Sequence, residues 1–328
     1  MPRTLHAQHD RFALTRPFRI ARGVKTCADV ISVTVADGAA AGRGEGVPYQ
    51  RYGESVATSL AALEGVRPAV EAGAGREALA SLLPPGAARN ALDCALWDLE
   101  ARQSGDSVAA RLGLFACGSL VTALTLVIDT PAAMAAAAVA ADGAPLLKVK
   151  VDSDDPAARV RAVRAAAPAA ALIVDPNESW DRALVEAMQP VLLEAGVALL
   201  EQPVAAGADA WLEEFAPAVP ICADESVHVA ADLDSVARRY QAVNVKLDKA
   251  GGLSAALDLV RAARGRGLAV MTGCMVCSSL SIAPAWLVAG LSDFVDLDGP
   301  LWLREDRPGG VSVRKGMLAP PESGFWGS

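Results

Sequence analysis

The stretch "GAPLLKVKVDSDD", Gly143 to Asp155, decides how the rest of the chain is read. Its middle, Leu146 to Val151, has the apolar density of a short buried strand, yet it carries Lys148 and Lys150. Strand side chains alternate between faces, so the two lysines share a face two residues apart. Like charges repel, and burying either ammonium is costly unless something compensates it. The compensation has to come from other parts of the chain.

Outward from this stretch the texture repeats. From about residue 119 short apolar runs recur: "LVTALTLVI", "LLKVKV", "AALIVD", "VALLEQP", "VPICADES", "AVNVKLD", "LAVMTG" and "DFVDLD". Helical stretches such as "DPAARVRAVRAAAP" and "LSAALDLVRAARGRG" lie between most of them. Strand–helix alternation sustained over eight runs predicts an α/β fold of parallel strands with crossover helices. Eight strands in roughly 180 residues fit a TIM-like (β/α) barrel. The alternative, a doubly wound sheet, usually carries a Gly-rich phosphate loop after its first strand, and none is present. Upstream the order is β then α. "DVISVTVAD" (Asp29 to Asp37) alternates like a strand, "GEGVPYQRYGES" (Gly44 to Ser55) reads as a Gly-rich loop, and "SVATSLAALEGVRPAVEAG" and "GAARNALDCALWDLEARQSG" read as helices. In the second helix Ala91, Cys94, Ala95 and Leu99 fall near helical spacing, with Trp97 flanking them.

Bulk properties exclude several classes. The 328 residues carry a net charge of −8 and no Lys/Arg-rich run, which argues against nucleic acid. The Ala-rich run "PAAMAAAAVAAD" is too short to span a membrane and reads as a packed helix. "MPRTLHAQHDRF" lacks the apolar core of a signal peptide, so no membrane partner and a cytoplasmic location are expected. The six cysteines, Cys27, Cys94, Cys117, Cys222, Cys274 and Cys277, are dispersed. Only Cys274 and Cys277 form a C-x-x-C, without a second Cys/His pair, so free thiols are expected.

Against the barrel frame the charged residues fall into register. Asp175 ends "ALIVD", Glu201 ends "VALLE", Asp224 ends "VPICAD" and Lys246 ends "AVNVK". From Lys148 onward each lies 22 to 27 residues beyond the last, about one βα unit. Ionisable groups thus recur at the C-terminal ends of consecutive strands, where barrel active sites are built. Singly, an Asp or Glu just past a strand is equally a helix N-cap or turn residue. Three in register converge and repel, and a divalent cation such as Mg2+ resolves that repulsion. Asn177 in "DPNESW" either supports that metal or caps the next helix. Lys246 faces the centre from the sixth strand and Lys148 and Lys150 from the second. A neighbouring cation lowers a lysine's pKa, so crowding is expected to favour a neutral amine, a general base. The metal would hold a substrate carboxylate and stabilise the charge left when an α-proton departs.

These motifs, "LLKVKVD", "LIVDPNESW", "LEQPV", "ICADES", "VNVKLDKAGGL" and "DLDGP", resemble the enolase superfamily, its muconate-cycloisomerase-like subgroup, and within that the dipeptide epimerases. "IARG", "PYQRYGES" and "GAARNALDCALWDLEARQ" extend the resemblance through the N-terminal region. It implies a (β/α)7β TIM-like barrel over 119–299 and an α+β N-terminal capping domain over 1–118, completed by about 300–328. It makes Asp175, Glu201 and Asp224 the ligands of one Mg2+, with Mn2+ a substitute. Lys150 becomes the base on one substrate face and Lys246 the acid/base on the other, with Lys148 stabilising the enolate. The implied reaction is a 1,1-proton transfer on a dipeptide, L-Ala-D/L-Glu in murein peptide recycling, by a homo-oligomeric isomerase.

Specificity rests on fewer residues. Asp296 and Asp298 in "DFVDLDGP" share a face and, by the same resemblance, bind the substrate's α-ammonium group. Arg22 is expected to meet an anionic substrate side chain, with Lys25 and Arg51 as weaker candidates; solvent-exposed loop charge is the alternative for all three. Asn177, Glu225 and Cys277 are placed around the site. Cys277 stands where many members of the subgroup carry Glu, and it and Leu280 are expected to adjust the pocket. Competing readings are other dipeptides, a cycloisomerase or o-succinylbenzoate synthase, and a non-catalytic metal- or ligand-binding barrel. A His–Asp racemase is disfavoured, because His6, His9 and His228 are the three histidines and the seventh strand ends "MTG".

Overall fold

The structure is a computed structural model that describes residues 2–114 and 118–327. Cys117 lies outside the described residues. The chain begins with an antiparallel sheet of β1 (Thr4–Ile20), β2 (Gly23–Asp37) and β3 (Ala40–Gly46). Helices α1 (Val56–Glu71), α2 (Leu79–Leu82), α3 (Ala87–Ser104) and α4 (Val108–Arg111) follow. A Ser55–Thr58 capping box starts α1. Leu5, Ile31, Val33 and Val35 of the sheet pack against Leu63, Val66, Leu92 and Leu96 of the helices.

This region adds one strand to the sequence reading and corrects one loop. The 17-residue β1 is mostly exposed, with only Leu5 and Leu14 buried, so it carries almost no apolar alternation to read. "GEG" is not loop but the end of β3, and its glycines face α3. A Cβ on Gly42, Gly44 or Gly46 would lie 2.1–2.2 Å from backbone oxygens of α3. The strand uses glycine because the helix backbone lies directly on it.

After a short strand β4 (Leu120–Val121) come β5 (Leu124–Leu126), α5 (Pro131–Ala140), β6 (Leu146–Lys150), α6 (Pro156–Ala166), β7 (Ala171–Asp175), α7 (Arg182–Glu194) and β8 (Val197–Glu201). The series continues with β9 (Ile221–Ala223), α8 (Leu233–Arg239), β10 (Ala242–Val245), α9 (Leu247–Ala250), α10 (Leu253–Gly265), β11 (Ala269–Gly273), α11 (Ser279–Ala289) and β12 (Phe294–Asp296). The eight strands β5 to β12 form one parallel sheet in sequence order, the (β/α)7β arrangement, and all eight predicted runs supply a strand. One crossover, between β8 and β9, carries only the 3-10 turn Ala210–Glu214. Ala123 N donates to Val295 O at 2.8 Å and Thr125 N to the Asp298 carboxylate at 2.7 Å, joining the first strand to the last. The Ala-rich run is α5, started by a Thr130 cap and Pro131 at its first position.

Each barrel strand is buried on both faces. Leu147, Val149, Leu172, Val174, Leu200, Val243 and Val245 belong to the core beneath the helices. Leu146, Ile173, Leu199, Cys222, Ala242 and Met271 form a separate apolar plug inside the barrel. By alternation, the inward residues above that plug are Lys148, Lys150, Asp175, Glu201, Asn244 and Lys246. After the barrel come β13 (Ser312–Arg314) and β14 (Met317–Ala319), an antiparallel pair in which β14 also pairs with β4. Trp326 then returns to the N-terminal layer, donating to Arg43 O at 2.9 Å.

Candidate active site

The second, third and fourth barrel strands hold the lysine pair of the opening stretch against two carboxylates. Lys150 stands directly across from Asp175 in the β6–β7 register, and its Nζ lies 2.5 Å from Asp175 Oδ2. Lys148 Nζ is 3.2 Å from that same oxygen, 2.7 Å from Glu201 Oε2 and 2.7 Å from Asp296 Oδ2. On the far wall Lys246 reaches Asp224 Oδ2 at 2.6 Å, and Lys249 takes Asp224 Oδ1 at 2.6 Å. Four ammonium groups therefore interleave with four carboxylates, all buried. This arrangement answers the cost of burying Lys148 and Lys150.

For Lys148 and Lys246 these contacts act against the direction that lysine crowding alone gives. Burial pushes the Lys148 ammonium down, but Asp296, Glu201 and Asp175 outweigh burial and hold it well above the ordinary lysine value. Lys246 behaves likewise: burial lowers it, Asp224 outweighs that, and Lys148 opposes only in part. Contact with carboxylates, rather than lysine crowding, dominates these two groups. Burial would raise Asp175, yet Lys150 and Lys148 hold it at about 2. Burial raises Glu201 to about 6, with Asp175 adding to the rise. Asp224 is held well below the usual range, because Lys246 and Lys249 overcome burial.

The carboxylates are positioned from behind. Asn244 Nδ2 donates to Glu201 Oε1 at 2.8 Å, and Gln202 Oε1 accepts from Asp224 N at 2.8 Å. Asn177 N donates to Asp175 Oδ1 at 2.9 Å. Asp181, not Asn177, caps the following helix, and the buried Asn177 Oδ1 has no hydrogen-bond partner among the described residues. Among the described residues no three His, Cys, Asp or Glu side chains close into a ready metal cage. Lys148 bridges Asp175 and Glu201, while Lys246 and Lys249 take both oxygens of Asp224. The donor set still fits a hard divalent cation. All three groups are buried carboxylates at the ends of consecutive strands.

Lys148, Lys150, Lys246, Asn177, Asp296 and Asp298 line one chamber of about 60 Å3, roofed by Ile20, Arg22, Lys25, Tyr49 and Tyr52 of the N-terminal layer. It shares Ile20, Arg22, Lys25, Tyr49 and Val276 with a cleft of about 650 Å3 along 23–29 and 47–51. Asp296 keeps one oxygen, Oδ1, without a hydrogen-bond partner among the described residues, while Asp298 accepts from Thr125 N. Burial raises Asp298 to about 6, and Asp296 adds to it.

Arg22 reaches the barrel mouth. Its Nη1 lies 2.6 Å from Glu225 Oε1 and 3.1 Å from Glu178 Oε2, and its Nη2 donates to the Tyr49 hydroxyl at 3.2 Å. Burial raises Glu225 to about 7, and the nearby Asp224 adds to it while Arg22 opposes. Lys25 lies 4.6 Å from the Tyr49 ring centre. Arg51 is bound in two bonds of 2.7 Å to Glu178 and lines the larger cleft, not the chamber. Cys277 lies one layer behind the chamber wall. Cys274, Met275 and Val276 line the chamber, whereas the Cys277 thiol is buried beside Cys274 and Gly299, and Leu280 is buried on α11. The five described cysteines are free thiols.

Several site residues escaped the sequence reading. Asn244 carried a usable signal, two residues before Lys246 on the same strand face, and so did Lys249, one helical step after it. Tyr49 and Tyr52 are brought in only by the closure of the N-terminal layer over the barrel, and Thr125 lies on β5, whose run carried no charged residue to mark it.

Residues 131–325 match the enolase C-terminal domain-like family, and residues 3–113 the mandelate racemase / muconate lactonizing enzyme N-terminal domain. The L-Ala-D/L-Glu epimerase of Escherichia coli K12 is 46% identical over 318 residues, covering 96% of this chain and 99% of its own. The N-acetyl-D-glutamate racemase of a Pseudoalteromonas species is 44% identical over 300 residues, covering 91% of this chain and 95% of its own. A solved enolase family member from Agrobacterium tumefaciens, with homology to dipeptide epimerases and with sodium and L-Ala-L-Glu bound, superposes with a TM-score of 0.97. It is 47% identical, over 99% of this chain and 100% of that one. A Methylococcus capsulatus dipeptide epimerase, complexed with Mg and L-Arg-D-Lys, gives 0.88 at 34% identity, over 98% of each chain. The chain belongs to the enolase superfamily, with the mandelate racemase / muconate lactonizing enzyme N-terminal domain and the enolase-like barrel, and groups there with the dipeptide epimerases, which are isomerases.

Proposed function

We propose that this chain epimerises L-Ala-D/L-Glu by moving a proton between the two faces of the glutamate α-carbon. One observation carries the reading: Lys150 and Lys246 come from the second and sixth of eight barrel strands and line one chamber. Strands four apart in an eight-stranded barrel stand on opposite walls. One lysine removes the α-proton, and the other delivers a proton to the opposite face.

Asp175, Glu201 and Asp224 would hold Mg2+, which when bound grips the substrate carboxylate and takes up charge developing on it. Lys148, placed between Asp175, Glu201 and Asp296, keeps its proton and adds positive charge on the same side. Asp296 and Asp298 face the chamber as acceptors for the dipeptide's ammonium group. Arg22 is the cation available to a side-chain carboxylate, in exchange for its contact with Glu225. Murein peptide recycling in the cytoplasm belongs to the same reading; among the described residues no helix is long and apolar enough to cross a membrane.

A second reading, racemisation of an N-acylated glutamate, is favoured by the 44% identical racemase and by Asp296 already being paired with Lys148. Both are tested by incubating L-Ala-L-Glu, and separately N-acetyl-D-glutamate, with the enzyme and Mg2+ in D2O. Deuterium at the glutamate α-carbon of the dipeptide, appearing as the D-epimer forms, supports epimerisation. Exchange confined to the N-acetyl compound supports the second reading. Exchange in neither, across a dipeptide panel, ends both. Lys150→Ala and Lys246→Ala should each stop epimerisation.

A further inference from the structure

The turn that follows Lys246 is held by the small domain. The Lys246 carbonyl accepts from Lys249 N and Ala250 N, both at 3.0 Å, and the Leu247 carbonyl from Gly251 N at 2.8 Å. Three buried side chains of α3 close on this turn. Arg89 donates from Nη2 to Ala250 O at 2.6 Å and from Nε to Gly251 O at 3.1 Å. Asn90 Nδ2 donates to Asp248 Oδ1 at 2.8 Å. Asp93 accepts from Ser254 N at 3.0 Å and from its hydroxyl at 2.7 Å.

The turn is shaped for this grip. Gly251 and Gly252 have φ of +86° and +116°; a Cβ on the first would lie 2.3 Å from Arg89 Nε, and on the second 2.5 Å from the Asp93 carboxylate. The chain after Lys150 is held from within the barrel instead, by Arg159 at 2.6 Å from Asp152 Oδ1 and by Trp180 Nε1 donating to Asp152 O at 2.9 Å.

We infer that Arg89, Asn90 and Asp93 are positioning residues for Lys246, so that α3 of the small domain controls proton transfer at one face of the substrate and not at the other. The inference rests on reading Lys150 and Lys246 as opposed acid–base groups. If the turn loosens, Lys246 Nζ is misplaced and its transfer slows. Lys150 still removes a proton from the epimer it faces and returns a solvent-derived deuteron to the same face. That epimer exchanges without inverting.

The test uses Arg89→Met, which keeps the aliphatic length and removes the donors. Ser254→Ala, which removes the hydroxyl bound by Asp93, is the second variant should the first fail to fold. Each epimer of Ala-Glu is incubated separately with Mg2+ in D2O, and α-deuterium incorporation and epimerisation are followed by NMR. Lys246→Ala first identifies the epimer whose exchange depends on Lys246. In the α3 and turn variants, exchange from that epimer should fall by at least about tenfold and from the other by less than about twofold. Arg89→Lys should recover part of the loss. Equal slowing from both epimers, or slowing from neither, overturns the inference. If the parent enzyme exchanges neither epimer, or Lys246→Ala slows both alike, the two-base reading fails, and the inference with it.

Discussion

Gly44→Ala tests whether the α3–β3 contact is as close as the structure has it. The added Cβ would lie 2.1 Å from Ala91 O and 2.7 Å from Ala95 N. Ordinary contact is more than about 1 Å longer, so α3 has to lift from the sheet by about that distance. Both clashing atoms are backbone and cannot rotate away as a flexible side chain would. Overpacking costs about 1–3 kcal/mol, and a rigid helix places this case near the upper end, about 3 kcal/mol. Urea unfolding followed by tryptophan fluorescence reads the change, since Trp97 lies on α3 and Trp326 donates to Cys94 O of the same helix. Gly65→Ala is the control. Gly65 lies within α1 with open space around its Cβ position, so alanine there should stabilise by about 0.5–1 kcal/mol. A Gly44→Ala protein within about 0.5 kcal/mol of the parent, or a shift of the same sign in both variants, would refute the reasoning.

Asp248→Asn should flatten the pH dependence of stability. Burial raises Asp248 to about 7 in the folded protein, while the carboxyl is ordinary when unfolded. The folded state then binds the extra proton, so this group's contribution is lost as pH rises from about 4 to about 7. Asparagine can still accept from Val47 N and Asn90, and should be the more stable at neutral pH; denaturation midpoints at pH 5 and pH 7.5 that change equally in both proteins would contradict this. Lys148→Met removes the ammonium shared by Asp175, Glu201 and Asp296, and should cost about 3–5 kcal/mol at neutral pH. Thermal unfolding with MgCl2 and with EDTA should show a larger magnesium-dependent gain in the variant; no magnesium dependence in either protein would remove the three carboxylates as cation ligands.

The sequence by itself determined the barrel and the register of its charges. Alternation places Lys148 and Lys150 on one face, and the unit spacing places Asp175, Glu201, Asp224 and Lys246 at strand ends, because both depend only on local geometry. Gly44 and Gly46 show the limit of that reading: their local sequence reads as loop, and only the α3 backbone lying on them gives them a place in a strand. The same holds for charge. Asp175 lies between the two lysines, Arg51 belongs to Glu178, Arg22 reaches Glu225, and Cys277 packs behind Gly299 of the chamber wall. These pairings are made across strands and between layers, by residues far apart in the chain. Tertiary structure decided them, because the partner that compensates a buried charge is the group brought within about 3 Å by folding, and spacing along the chain does not carry that distance.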